Sequence, residues 1–548
     1  CIGLLRPGIG LNASFAHRTT KGGSLALLSQ SGALVTAVID WAAGRDVGFS
    51  HIVSLGDMAD VDFGDLLDYL AGDPSCSAIL LYIEAITHAP KFMSAARRAA
   101  RVKPVIAIKA GRHAAAAKAA FSHTGSLAGS DAAYTAAFRR AGILRVNELG
   151  GLFAAAEMIA DVPVMDGERL VLLTNGGGAG VLAADALVDN DGVLAALPAE
   201  TIAALDAVLP HTWSHGNPVD IIGDADAARY GKALDLLLAD KSSDAILVLN
   251  CPTALTSSTD IAREVVAARR RKPGKPILTN WLGVEAAAEA RRLFAAERMP
   301  TFETPTAAIE GVMQLVRHQR AQEQLSRTPP PADETHPVDR EAADKIIADA
   351  LAAGRTTLPQ AEGKALFAAY GVPVVPTLVA ATPAEAGRIA GDLLKSSTSV
   401  ALKILSDNLT HKSDIGGVRL GLGTREAVET AAADMLERIG RSHPQARLTG
   451  FTVSPFVKRP RAHELILGVT EDATFGPLIL FGAGGTSVEV VGDTALALPP
   501  LDMALAHDLI AQTHIAKLLK GYRDRPPVDL DAIAIEPDVL LMDEPLSL

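Results

Sequence analysis

Cysteine is scarce in this chain. Its 548 residues hold three, Cys1, Cys76 and Cys251, scattered and without CxxC spacing. Neither a disulfide framework nor a zinc site follows, and a reducing cytoplasm is the expected setting. No apolar run approaches the ~20 residues needed to span a bilayer, and the start lacks the charged, apolar and small-residue order of a signal peptide. An excess of basic residues is missing too: the net charge is −12, which argues against nucleic acid or an anionic membrane as partner. There is no G-x-x-x-x-G-K-[ST], hence no P-loop. The glycine cluster at 175–180 misses the G-x-G-x-x-G register, because Val181 stands where the third glycine belongs. The chain opens on Cys1 rather than Met, so a fragment of a longer protein is expected.

What is present is apolar and periodic. Nearly half the residues, 49%, are hydrophobic, and the length suits three or four domains of about 150 residues. SLALLSQ (24–30), SAILLYI (77–83) and KPVIAIK (103–109) predict strands buried on both faces, with alanine-rich helices between them. That alternation is the pattern of a doubly wound parallel sheet. A second such unit begins at RLVLLT (169–174) and continues through DAILVLN (244–250) and KPILTNW (275–281). The segment SRTPPPADETHPVDR (326–340), rich in proline and charge, predicts a linker. The third unit differs. ALKILS (401–406), LTGFTVSPFV (448–457), HELILGV (463–469) and FGPLILFG (475–482) are strand-like and joined by turns, which predicts an α+β domain with antiparallel pairing.

Three stretches place glycine between a strand and a helix: LLSQSGALV (27–35), LLTNGGGAGVLAAD (172–185) and LILFGAGGTSVEV (478–490). A helix N-terminus at such a turn points free N–H groups and a positive dipole end at an anion. Each alone is equally an ordinary tight turn. His123, in AAFSHTGSLAGSDAA (119–133), is a candidate phosphate carrier set among small residues; taken alone it reads as a loop histidine facing solvent.

SQSGALVTAVIDWAA (29–43), VSLGDMADVDFGDLLDYL (53–70), LLYIEAI (80–86), KPVIAIKAGR (103–112) and SHTGSLAGSDAAYTAAFRRAGI (122–143) together resemble the α part of the NDP-forming acyl-CoA synthetases, relatives of succinyl-CoA synthetase. EGKALFAAYGVPV (362–374), ALKILSDNLTHKSDIGGV (401–418) and ELILGVTEDATFGPLILFGAGGTSVEVVGD (464–493) resemble the β part. The resemblance implies two flavodoxin-like doubly wound domains (1–160 and 165–325), a linker (326–344), an α+β ATP-grasp domain (345–535) and an atypical tail (536–548). It implies a ligase that interconverts acyl-CoA, ADP and phosphate with acid, CoA and ATP through a phosphohistidine, with an acetate-like acid as substrate. The substrates would be ATP/ADP with Mg²⁺, CoA and phosphate, and the assembly a homo-oligomer.

The resemblance also assigns roles. His123 takes the phosphoryl group, and imidazole is a good neutral nucleophile near pH 7. Glu84 accepts a hydrogen bond from the other ring nitrogen, and His411 relays the phosphoryl group to the nucleotide. Ser31 and Gly32 at one helix tip, and Gly484, Gly485 and Thr486 at another, hold the phosphate. Lys403 and Glu464 contact the nucleotide; no metal ligands are identified.

Three departures stand beside these expectations. The opening CIGLLRPGIGLNASF resembles the joint that follows the family's CoA-binding domain, so that domain is expected to be absent. Asp57 stands where the family generally has asparagine. The tail EPDVLLMDEPLSL (536–548) resembles an ABC-ATPase Walker B strand rather than the family's metal-holding end, although no P-loop accompanies it. A second function stays open: a sensor of acyl-CoA or nucleotide built on the same scaffold. Retention of His123, Glu84 and His411 favours the enzyme.

Overall fold

The structure, a computed structural model, describes residues 1–44, 47–113, 130–163, 165, 167–327, 338–406, 415–459, 462–485, 491–523, 525–535 and 546–547. The chain divides into two compact units. The first is Cys1–Thr328 with Val469–Ile479 and Leu496–Pro499; the second holds the remainder.

The first sheet of the first unit has seven strands: β1 (Gly3–Arg6), β2 (Leu11–Ser14), β3 (Gly22–Ser29), β4 (Phe49–Ser54), β5 (Ala78–Ile83), β6 (Val105–Lys109) and β7 (Leu144–Val146). Their order is β2-β1-β4-β3-β5-β6-β7. From β4 to β7 the pairing is parallel, whereas β1 runs antiparallel to both β2 and β4. The helices are α1 (Gly32–Ala43), α2 (Phe63–Gly72), α3 (Ala89–Ala100), α4 (Asp131–Ala141) and α5 (Leu149–Asp161).

Successive strand residues feed opposite faces, as the two-residue period requires. Leu27, Leu80 and Ile106 pack with Val35 and Val38 of α1 and Leu152 of α5. Leu28, Leu81 and Ala107 pack with Leu67 of α2, Phe92 of α3 and Phe138 of α4. Both faces are therefore covered, which explains the near-continuous apolar runs. Burying one such leucine stabilises the fold by about 1.5–3 kcal/mol.

The second sheet is parallel throughout. Val193–Leu194 and Val219–Asp220 share one edge of Arg169–Thr174, followed by Ala245–Asn250, Ile277–Trp281 and Thr301–Phe302. In both sheets the first parallel strand, β3 in one and Arg169–Thr174 in the other, lies inside, so the connections wind to opposite sides. The crevice at that reversal is where open α/β sheets bind ligands.

The second unit has an antiparallel sheet, in the order Leu378–Ala380, Leu448–Pro455, Val400–Ser406 and Val418–Leu422. Helices Pro383–Leu393 and Arg425–Ser442 bury Ile389, Val428, Met435 and Ile439 against it. The α+β expectation matches this arrangement. A further three-stranded sheet comprises Leu465–Asp472, Gly476–Ala483 and Thr494–Ala497; its residues 469–479 and 496–497 belong to the first unit. Residues 340–344 of the expected linker are instead the start of helix Arg340–Ala352, because the Asp339 side chain accepts from Ala342 N and caps it. From the tail, Leu546–Ser547 pairs antiparallel with Thr357–Leu358. Among the described residues no helix is long and apolar enough to cross a membrane.

Candidate active site

The strands β3 and β5 are neighbours, and their C-terminal ends carry the first group of candidate residues. Ser29 ends β3, and its hydroxyl accepts from Ser31 N at 3.1 Å and donates to Ser31 O at 2.9 Å. That small turn aims the chain into α1. The Ser31 hydroxyl then accepts from Leu34 N at 3.3 Å, capping the helix. Gly32 keeps the turn uncrowded: a Cβ there would lie 3.3 Å from the Ile2 nitrogen, a tight contact. The first turn of α1 contains no acidic residue, so its positive dipole end is not neutralised from within the helix. By contrast α2, one strand over, is closed by the Asp62–Asp65 capping box.

Glu84 follows β5 and is half-buried. Its backbone is held by Gln30, whose buried side-chain oxygen accepts from Glu84 N at 2.6 Å and Ala85 N at 2.9 Å. The structure therefore brings Glu84 to the same crevice as Ser31 and Gly32. Its carboxylate is felt by two neighbours. Burial, and then the Glu84 charge, push the Tyr82 hydroxyl up. Lys109, at the end of β6, is buried and donates to Ala110 O. Desolvation first of all lowers it from 10.5 to about 8, against the opposing pull of Asp131 and Glu84. Its ammonium lies 4.5 Å from the Tyr134 ring centroid. Tyr134, on α4, accepts from Ile86 N at 3.1 Å, and burial raises its hydroxyl to about 12.

Gln30, Lys109 and Tyr134 were not singled out from sequence. A charged residue closing the apolar strand KPVIAIK was the available signal for Lys109. Gln30 and Tyr134 had none, since their partners lie about fifty residues away. Asp57 is exposed in the turn after β4. His123 lies outside the described residues.

The second sheet repeats the crevice with different residues. Asn175 and Cys251 exchange hydrogen bonds across its reversal point, Nδ2 to Cys251 O at 2.9 Å and Cys251 N to Oδ1 at 2.8 Å. Helix Gly177–Asp189 starts there. A Cβ on Gly177 would lie 2.8 Å from Asp220 Oδ2, so the chain itself supplies a carboxylate to this tip.

In the second unit, Glu464 and the glycine turn come together. Gly484 N donates to Glu464 O at 2.8 Å, and Gly485 has φ +95, open to glycine and strained for other residues. A Cβ on Gly485 would lie 2.9 Å from Glu464 Oε2. Lys403 is half-buried on Val400–Ser406, opposite Val418 and Thr452. Thr486 and His411 lie outside the described residues. Among the described residues no group of three His, Cys, Asp or Glu side chains is placed to hold a metal ion.

Known proteins share this organisation. A succinyl-CoA ligase-like flavodoxin domain matches residues 22–159, a ligase-CoA domain 170–324 and an ATP-grasp domain 349–536. An acetate–CoA ligase [ADP-forming] I of Archaeoglobus fulgidus is 38% identical over 551 aligned residues, covering 100% of this chain and 77% of the relative. A 4-hydroxybutyrate–CoA ligase [ADP-forming] of Nitrosopumilus maritimus is 31% identical, covering 95% and 73%. Among solved structures, the dinucleotide-forming acetyl-coenzyme A synthetase 1 of Candidatus Korarchaeum cryptofilum, in complex with phosphate and ADP, superposes with a TM-score of 0.55 at 36% identity, over 59% of this chain and 70% of that one. The two flavodoxin-like sheets, the ATP-grasp match and an alignment spanning every residue agree: the chain belongs to the ADP-forming acetate–CoA ligase family, in its fused single-chain form.

Proposed function

We propose that this chain is an acid–CoA ligase that interconverts acyl-CoA, ADP and phosphate with acid, CoA and ATP. The observation that carries the reading is the 38% identical alignment with an acetate–CoA ligase [ADP-forming], which covers 100% of this chain and 77% of the relative. Phosphate displaces CoA from the acyl carbon, giving an acyl phosphate and the free thiol. The His123 imidazole then attacks phosphorus, releasing the carboxylate and forming phosphohistidine. ADP finally accepts the phosphoryl group, His411 acting as relay, and His123 returns to neutral imidazole. An acetate-like acid is the proposed substrate, and the 4-hydroxybutyrate relative makes a panel of short acids the natural assay.

The described residues suit these steps. The unneutralised α1 tip, with Ser31 and Gly32, provides N–H groups for phosphoryl oxygens. Glu84, fixed by Gln30, provides a carboxylate to orient an imidazole and balance its charge. Lys403 provides a point charge for nucleotide phosphates. Glu464 lies against Gly485, so a carboxylate and a phosphate at that turn need a cation between them. Magnesium would meet that need by arriving with the nucleotide, as MgADP or MgATP, and Glu464 is its candidate contact. The alternative, a sensor on the same scaffold, is not favoured, because relatives matched along the chain are ligases. A homo-oligomer in a reducing cytoplasm completes the proposal; the three cysteines are free.

Incubation with γ-labelled MgATP tests it. Acid-labile, base-stable label is expected on the wild type; with acyl-CoA and labelled phosphate it is absent from His123→Ala, whereas label that His123→Ala takes from MgATP sits on His411. His411→Ala should still accept label from acyl-CoA and labelled phosphate while failing with MgATP. A wild type that takes no label from either side refutes the phosphohistidine.

A further inference from the structure

Residues Val469–Ile479 lie in the ATP-grasp stretch of the sequence but pack with the first unit. Their turn is organised by Asp472, which is 8% exposed. One carboxylate oxygen accepts from Thr474 N at 2.9 Å and Phe475 N at 3.0 Å. These two bonds suffice to make the turn. The other oxygen accepts from Ser130 N at 3.1 Å, a partner 342 positions away in sequence. Ser130 in turn caps α4 through Ala133 N at 3.1 Å. Phe475 meets Tyr134 edge-on, with ring centroids 5.0 Å apart at 86°, and joins the core under β5. Tyr134 holds Ile86 N, two residues beyond Glu84. On the other side of the segment that carries His123, Arg112 is bound to Asn147 Oδ1 at 2.7 Å.

We propose that Asp472 and Phe475 are positioning residues for phosphoryl transfer. They fix Ser130 and Tyr134, and thereby both the downstream root of the His123 segment and the turn that presents Glu84. The inference rests on the phosphohistidine reading above. Its physical content is a displacement argument. A catalytic group shifted by about 1 Å through a remote change loses up to a hundredfold in rate, and the path among the described residues runs from Phe475 through Tyr134 to Ile86 N, two residues beyond Glu84.

The test uses the full chain. Asp472→Ala removes all three acceptor contacts, whereas Asp472→Asn keeps one oxygen, and Phe475→Leu keeps the hairpin but loses the ring contact. Asp472→Ala is expected to speed hydrogen exchange at Ser130 about tenfold or more. It is expected to slow single-turnover labelling of His123 by about ten- to a hundredfold and to leave KM for ADP unchanged. Asp472→Asn and Phe475→Leu should fall between it and the wild type. If Asp472→Ala unfolds, rates per folded molecule in the milder variants decide, and wild-type rates in both overturn the proposal. Wild-type labelling in a folded Asp472→Ala also overturns it, and leaves the phosphohistidine standing. If the wild type itself takes no label, the phosphohistidine falls and the anchor is decided by exchange at Ser130, where an unchanged rate overturns it.

Discussion

Gln30→Met isolates the clamp between β3 and β5. Methionine nearly matches glutamine in length but accepts no amide hydrogen bond of comparable strength. The exchange strands two N–H groups, those of Glu84 and Ala85, which the Gln30 oxygen now accepts at 2.6 and 2.9 Å. A buried amide without a partner costs about 1–3 kcal/mol. Ala85 is buried while Glu84 is half-buried and can recruit water, so the pair should cost about 2–4 kcal/mol. Whole-domain stabilities are about 5–15 kcal/mol. At about 2–4 °C per kcal/mol for a unit of this size, the first calorimetric transition should drop by about 5–15 °C. Calorimetry that resolves separate transitions is needed, since a chain of several domains does not unfold in one step. A loosened Glu84 should also lower kcat by about ten- to a hundredfold while KM for ADP holds. Gln30→Glu is the control: its carboxylate still accepts both amides, so melting should stay near wild type, while the charge added beside Glu84 and the α1 tip lowers kcat. A Gln30→Met protein with wild-type melting refutes the clamp. One that melts early but turns over normally, per folded molecule, refutes the role given to Glu84.

Glu84→Gln keeps the backbone bond to Gln30 and removes only the anion. Melting should be unchanged, with kcat at least about tenfold lower; equal turnover in a coupled assay of ATP release would exclude Glu84 from the chemistry. Gly485→Ala forces a Cβ within 2.9 Å of Glu464 Oε2 at φ +95. It should add about 1–2 kcal/mol of backbone strain and raise KM for ADP about tenfold, leaving phosphate exchange between acyl-CoA and acyl phosphate intact. Lys109 has a folded pKa of about 8 against 10.5 for the free side chain. The unfolded chain therefore binds more protons between those values, so Lys109 makes stability rise with pH across that window and costs most below it. Lys109→Met should melt higher than wild type at neutral pH and lose that slope in pH-dependent melting; an unchanged slope would refute the burial argument.

What could be read from the sequence depended on how local each signal is. SAILLYI and KPVIAIK were legible as buried strands because a parallel sheet covered on both faces demands uninterrupted apolar residues. Glu84 was singled out on the resemblance of LLYIEAI to the family, and the structure places its backbone just past β5, held by Gln30. Gln30 was not: glutamine inside SQSG reads as an ordinary polar turn until the topology places β5 beside β3. The two crevices make the point within one chain. SQSG uses a glutamine oxygen to hold two amides of the neighbouring strand end, and TNGG uses an asparagine that both donates to and accepts from Cys251. The two turns share no motif that reveals the common task, because the task is set by the neighbouring strand and not by the turn. Asp472 is the extreme case. Its two local bonds make it look like any hairpin aspartate, and only the third, to Ser130, distinguishes it. His123 and His411 are the reverse. The role proposed for each rests on the resemblance of the motif around it, which is read from sequence alone, and both lie outside the described residues. The groups that would hold such an imidazole in place are generic polar residues brought together by the fold, and a structure is what reveals them.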